Sequence, residues 1–313
     1  MLRIRPFRKG VDEEIYVSVY NSAFLDYDDV RSVTVQEVQT LEKAPSYNLD
    51  GLLIAEWDGK TAGMVQALVD EFREEKKGFI QSLAVLPEFR RRGIAKKLLL
   101  KAIESLKNRG MEVAGAWVQT DRVSCVHLYE SLGFTRVRTS SLMKGSLTEK
   151  SEIEVSEAAT VREANLKDDE DVALINRLDN EAFREHFNYR PVTLEESKYM
   201  LFEMPWYRHQ KAWFAVLTGQ PVGYVIAGID VGLNEEKRTK YGWILDIGVL
   251  KPFRRQKIGS TLMRSAMRYL ISLGMENALL YVDNQNPTGA IKLYERVGFE
   301  VLHSNVVYEL QLA

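Results

Sequence analysis

FIQSLAVLPEFRRRGIAKKLL at residues 79–99 returns as WILDIGVLKPFRRQKIGSTLM at 243–263, a shift of 164. HLYESLGF at 127–134 returns as KLYERVGF at 292–299, a shift of 165. Two signals kept in order and at matching distance mark an internal duplication. The period is about half of the 313-residue chain, whereas solenoid units run roughly 20–50 residues, so the chain reads as two copies of one domain. Weaker echoes extend the repeat: LRIRPF (2–7) against ATVREA (159–164), and NSAF (21–24) against DNEAF (179–183).

Between these signals lie paired strands around a glycine turn, 52–69 and 213–229, with Asp58-Gly59 and Thr218-Gly219 where a tight hairpin needs positive φ. Charged loops follow, EFREEKKG and DVGLNEEKRTKYG. After each arginine run comes a helical apolar stripe, Ala95, Leu98, Leu99, Ala102, Ile103 and Leu106 in the first copy, stopped by Gly110 or Gly274. VAGAWVQ and NALLYVD then read as buried strands. The fold class is α/β with a mixed sheet in each copy. The polar stretch GSLTEKSEIEVSE (145–157) reads as the linker, dividing the chain near residue 152 into domains 1–150 and 151–313.

Composition bounds the function. Hydrophobic residues make up 45% and charged residues 27%, ordinary for globular domains. A formal net charge of −2 gives no drive towards nucleic acid or an anionic membrane. No aromatic residues interleave with RRR or RRQK, so nucleic-acid binding is not expected. The single cysteine, Cys125, and the absence of a leader-like or spanning apolar run make a cytoplasmic protein the expectation. No Cys/His cluster has metal-ligand spacing.

Arg90, Arg91 and Arg92, then Lys96 and Lys97, fall at the first turn of a helix, and Arg254, Arg255 and Lys257 repeat the arrangement. Cations there oppose the helix macrodipole, at a cost of a few tenths of a kcal/mol each. A bound phosphate reverses that sign, because free amides, dipole and side chains then all face an anion. Gly93 allows close backbone approach.

The spacing Arg90-x-x-Gly93-x-Ala95 after the strand SLAV resembles the acetyl-CoA signature of the GNAT N-acetyltransferase superfamily, and LYESLGF and LYERVGF resemble its second signature. The tandem organisation is similar to the mycothiol-synthase-like, double-domain group. The resemblance implies two GNAT-like domains, each a mixed, mostly antiparallel sheet flanked by helices, and acetyl-CoA as cofactor. It implies that Leu83, Ala84 and Val85, and Ile247, Gly248 and Val249, offer splayed strand backbone to the pantetheine arm. Arg90, Arg91, Arg92, Gly93, Ile94, Ala95 and Lys96 would hold the pyrophosphate, as would Arg254, Arg255, Gln256, Lys257, Ile258, Gly259 and Ser260 in the second copy. Two departures stand out. Lys257 replaces the glycine, putting a side chain where close approach is wanted, and only the second copy keeps the motif asparagine, Asn286.

Tyr129 and Tyr294 are the catalytic candidates, as general acids that protonate the departing CoA thiolate; otherwise they pack ahead of the Gly133-Phe134 and Gly298-Phe299 helix stops. Where relatives place a carboxylate base, this chain has Phe79 and Gln81, or Trp243 and Leu245. Asp246 is the nearest carboxylate, but strand alternation turns it away, so it reads as structural. That lack argues against the mycothiol synthase reaction. His186 reads as a surface or capping residue. The expected function is N-acetylation of a primary amine, a small molecule or a peptide N-terminus, with the second half catalytic and the protein monomeric or homodimeric. The first half would bind the coenzyme without turnover or act as scaffold. The alternative is a non-catalytic acyl-CoA-binding sensor.

Overall fold

Apolar alternation and helical stripes resolve into two copies of one element order, the second with one added short helix. The computed structural model describes residues 1–148 and 153–312. The first copy runs β1 (Leu2–Pro6), α1 (Glu13–Ala23), α2 (Val35–Leu41), β2 (Leu52–Trp57), β3 (Lys60–Val69), β4 (Lys77–Val85), α3 (Ile94–Asn108), β5 (Val113–Gln119), α4 (Val123–Ser131) and β6 (Thr135–Ser146). The second runs β7 (Thr160–Glu163), α5 (Asp169–Phe183), α6 (Leu194–Lys198), β8 (Arg208–Leu217), β9 (Gln220–Ile229), α7 (Val231–Lys237), β10 (Tyr241–Val249), α8 (Ile258–Ser272), β11 (Asn277–Asp283), α9 (Ala290–Arg296) and β12 (Phe299–Gln311).

The chain folds as two units, residues 1–138 with the C-terminal stretch from 305, and residues 139–304. Each unit takes its last strand from the other half of the sequence. Asn305–Gln311 of β12 pairs antiparallel with β5, and Ser140–Ser146 of β6 pairs antiparallel with β11. The sheet orders are therefore β1-β2-β3-β4-β5-β12 and β7-β8-β9-β10-β11-β6. Pairing is antiparallel except β4 with β5 and β10 with β11, which are parallel. The boundary expected near residue 152, and residues 149–152 of the expected linker, lie outside the described residues. The start of that stretch is not linker: Gly145 and Ser146 are strand, and buried Leu147 donates its N–H to the Glu276 carbonyl.

Both hairpins turn as their dipeptides require, with φ of 49° and 79° at Asp58-Gly59 and 50° and 80° at Thr218-Gly219. The expected stripe of α3 buries Leu98, Leu99, Ala102 and Leu106 against the first sheet, and α8 buries Leu262, Ala266 and Leu270 against the second. In both units a buried aspartate locks the turn from first strand to first helix. Asp12 accepts from the Arg5 and Arg8 guanidiniums, and Asp171 from that of Arg162. One reading needs correction. The segment after β9, expected as a charged loop, contains α7, because the Asp230 carboxylate caps the Leu233 amide and Leu233 itself is buried.

Candidate active site

The parallel strand pair at the heart of each unit opens. β10 pairs with β11 only over Tyr241–Trp243, and β4 with β5 only over Lys77–Ile80. Beyond those points Ile247, Gly248 and Val249, and Ala84 and Val85, still pair with β9 or β3 on one edge but have no strand partner on the other among the described residues, while Leu83 falls in the register shift of β4 against β3. Such an edge leaves N–H and C=O groups for a ligand to satisfy. In the second unit the opening is the floor of a cleft of about 400 Å³, walled by α5, β10, β11 and the starts of α8 and α9.

At the mouth of the opening the arginine loops precede their helices rather than occupying the first turn, since α3 and α8 begin at Ile94 and Ile258. Alternate residues are left-handed: Arg91 and Gly93 at φ 62° and 76°, Arg255 and Lys257 at 66° and 58°. Left-handed backbone costs a non-glycine residue about 1 kcal/mol or more. Here it turns successive amides to one side, ahead of the free amides of a helix N-terminus, a cradle suited to a diphosphate. The side chains divide their work. Arg90 and Arg254 turn back, donating from Nε to the Val85 and Val249 carbonyls at 3.1 and 2.9 Å, and so brace the strand end. Arg92 lies over the Trp57 and Phe89 rings. Arg91, Gln256, Lys96 and Lys257 are exposed, Ala95, Gly259 and Ser260 are half-buried, and Ile94 and Ile258 are core residues. A Cβ on Gly93 would have nothing within 4 Å, and the Lys257 ammonium lies out at 2.9 Å from the Glu154 carboxylate.

Asn286 lines the cleft, but its side-chain oxygen accepts from the Thr288 amide and hydroxyl, so it shapes the turn into α9. Tyr294 lines the same cleft, and burial raises its phenol well above the ordinary value, keeping it protonated at neutral pH. Tyr129, its counterpart, is packed between Phe134 and Tyr308 in the first unit.

Asp246 contradicts the expectation made from strand alternation. Pairing with β9 skips Leu245, a β-bulge, so that Asp246 is opposite Ile226 and turns towards α5. It lines the cleft. Its Oδ2 lies 2.5 Å from the Tyr224 hydroxyl, which is also 2.7 Å from Asp179 Oδ1. Burial first, and the adjacent Asp179 carboxylate second, push the Asp246 carboxyl up to about 8. Burial raises Asp179 too. His186 is likewise on the cleft wall, edge-on to Phe183 at 4.4 Å between ring centroids.

Sequence reasoning missed Asp179 and Tyr224 because the repeat hides them. Their counterparts by strand register and by the NSAF/DNEAF echo are Tyr20 and Met64, and Ser82 stands where Asp246 does. The bulge recurs in the first unit, with Ser82 at φ 53°, but no carboxylate occupies any of the three positions. There the start of α4 is tied to the segment after α1 instead, with Arg122 bonded to Asp26 at 2.6 Å and stacked 4.1 Å over the Tyr27 ring. Among the described residues no acidic or His/Cys cluster could hold a metal ion, and no helix is long and apolar enough to cross a membrane.

The sequence profile of the acetyltransferase (GNAT) family matches residues 16–134 and 174–299, most of the chain in two regions. The mycothiol acetyltransferase of Thermobispora bispora is 31% identical over 138 residues, 43% of this chain and about half, 47%, of that relative's length. The mycothiol acetyltransferase of Mycobacteroides abscessus is 26% identical over 260 residues, covering 82% of this chain and 83% of the relative. Among solved structures, a tandem GNAT protein from the clavulanic acid biosynthesis pathway superposes with a TM-score of 0.78 at 16% identity, covering 100% and 99% of the two chains. A GCN5-related N-acetyltransferase from Sphaerobacter thermophilus gives 0.71 at 22% identity, covering 99% and 96%. At these identities the likeness concerns the fold.

Proposed function

This chain belongs to the acetyltransferase (GNAT) family, and on that premise we propose that its second unit transfers the acetyl group of acetyl-CoA to a small-molecule primary amine. The carrying observation is that the Asp246 carboxyl and the Tyr294 phenol line one cleft beside the opened edge of β10. The coenzyme supplies an activated acetyl thioester; every other step below belongs to the chain's own residues. The Arg255–Ser260 loop and the α8 N-terminus hold the diphosphate through backbone amides. Ile247, Gly248 and Val249 present strand backbone to the pantetheine arm and so orient the thioester along the cleft.

Asp246 takes a proton from the incoming ammonium, leaving the nitrogen lone pair free to form the new C–N bond. Tyr294 Oη gives its proton to the sulfur as the C–S bond breaks, and the phenolate recovers one from the acylated nitrogen. Asp246 supplies the carboxylate whose lack counted against the mycothiol synthase reaction, so that objection falls away. The relatives' name supports a small-molecule acceptor over a peptide N-terminus. The first unit has no carboxylate at the corresponding positions and is assigned no turnover.

The test is thiol release from acetyl-CoA with a panel of small amines and short peptides. Wild type releases thiol with at least one small amine. Asp246→Asn loses turnover, by roughly 10²–10⁴-fold, while calorimetry shows acetyl-CoA still bound. Equal turnover in wild type and Asp246→Asn would sink the assignment of the base.

A further inference from the structure

A phenol has one proton to give, yet the Tyr224 hydroxyl sits within 2.7 Å of Asp179 Oδ1 and 2.5 Å of Asp246 Oδ2. Two short oxygen–oxygen approaches need two protons between them. One comes from the phenol, donated to a carboxylate. The other must be on the second carboxyl, donated to the phenol oxygen. With both carboxyls ionised, one contact would be a bare repulsion between lone pairs in a buried setting, where an unsatisfied charge is costly. Tyr224 is fully buried and cannot swing away to water.

We propose that Asp179 and Tyr224 are positioning residues for the acceptor site: with Asp246 they share one additional proton, so that the two carboxyls together present a single negative charge to the acceptor. The proposal rests on the reading of Asp246 as the group that faces the amine. It gives the site a selectivity. A monocationic ammonium meets one negative charge, and transfer of its proton to Asp246 leaves both carboxyls neutral.

The neighbours of Asp246 act in opposed directions. From α5, Asp179 pushes the carboxyl up; from β9, the Tyr224 hydroxyl pulls it down, as does the Ile247 amide. From α9, the Tyr294 phenol is itself raised by Asp246. His186, Arg254, Arg255, Lys257 and Asp283 also line the cleft, with the Arg254 guanidinium engaged by the Val249 and Ala182 carbonyls.

The test is a carboxyl titration of the full chain labelled with ¹³C at the aspartate γ carbons, followed by NMR from about pH 4 to 9 without coenzyme or acceptor, with Asp179→Asn and Asp246→Asn providing the assignments. In wild type the two resonances should titrate as a pair, the later step near the alkaline end. Asp179→Asn should move the Asp246 midpoint down by about one unit or more, and Tyr224→Phe should move it up. Both carboxyls titrating independently near 4, or an Asp246 midpoint indifferent to Asp179→Asn, would overturn the proposal. This readout stands whether or not the protein acetylates any amine, so failure of the functional reading is seen separately. If the amine panel yields a substrate, Asp179→Asn should shift the acidic limb of the pH–kcat/KM profile to lower pH and leave the KM for acetyl-CoA unchanged. A uniform loss of kcat at every pH, with the limb in place, would instead mark Asp179 as scaffolding. All three substitutions are near-isosteric, and matching circular dichroism and melting confirm that the variants fold.

Discussion

Gly248 stands directly opposite Tyr224 across β9 and β10, and adding a single methyl group there tests the whole arrangement. A Cβ on Gly248 would fall 2.7 Å from Tyr224 Cε1 and 3.0 Å from the Ala182 Cβ. Neither neighbour can step aside, because Tyr224 is fully buried and Ala182 is on the packed face of α5. At the corresponding position of the first unit an alanine, Ala84, is accommodated, but there it is opposite the flexible Met64. Gly248→Ala should therefore cost about 1–3 kcal/mol by overpacking. For a unit of this size that is a fall in Tm of roughly 2–12 °C. It should also disturb the Tyr224 hydrogen bonds and lower turnover. Scanning calorimetry of the full chain reads the stability. Combining Gly248→Ala with Tyr224→Met, which copies the first unit's pair, should cost less than the two single changes summed, by about 0.5–3 kcal/mol. Turnover should not return. A Gly248→Ala protein that melts like wild type, or a double variant whose costs simply add, would refute the argument that the glycine exists to admit the tyrosine.

Tyr294→Phe should reduce the rate of thiol release from acetyl-CoA by about 10²-fold or more with binding retained, whereas Tyr129→Phe should leave turnover unchanged; steady-state kinetics on both variants decides. Asp12 is fully buried between Arg5 and Arg8, whose hydrogen bonds hold its carboxyl well below the usual carboxylate range. A carboxyl lowered on folding contributes stability above its unfolded value near 4, and loses it as pH falls further. Asp12→Ala should thus cost about 1–3 kcal/mol near neutrality in urea denaturation, since Arg5 keeps its bond to Glu56 and Arg8 reaches solvent, with the difference from wild type shrinking in acid. Asp246 has the opposite sign. Its carboxyl is raised to about 8, so the folded state holds a proton the unfolded chain has released, and its contribution is present below about pH 4 and lost as pH rises to about 8. The Tm of Asp246→Asn relative to wild type should accordingly rise between pH 5 and pH 8.

The duplication, the hairpins, the arginine loops and the tyrosine motifs were legible because each is written within about twenty consecutive residues. Turn dipeptides, helix stripes and left-handed glycines act over that range, and the repeat printed each of them twice. Strand exchange was not legible. Nothing local to Ser140–Ser146 or Asn305–Gln311 names the strand beside which it will lie, since edge pairing is set by which partner remains open after folding.

The orientation of Asp246 was misread for a related reason. Alternation along WILDIGV turns Asp246 away from the cleft, and one extra residue at Leu245 reverses that outcome. A bulge is decided by the register with β9, which no window of sequence contains. Asp179, Tyr224 and Asp246 come from a helix and two strands, and they form one hydrogen-bonded cluster only when packing brings their oxygens within reach. The sequence by itself therefore determined a duplicated domain with an arginine loop ahead of the helix that follows the central strand of each copy. Where a proton can rest in that domain was decided by tertiary structure, because burial and distance between remote residues govern ionisation.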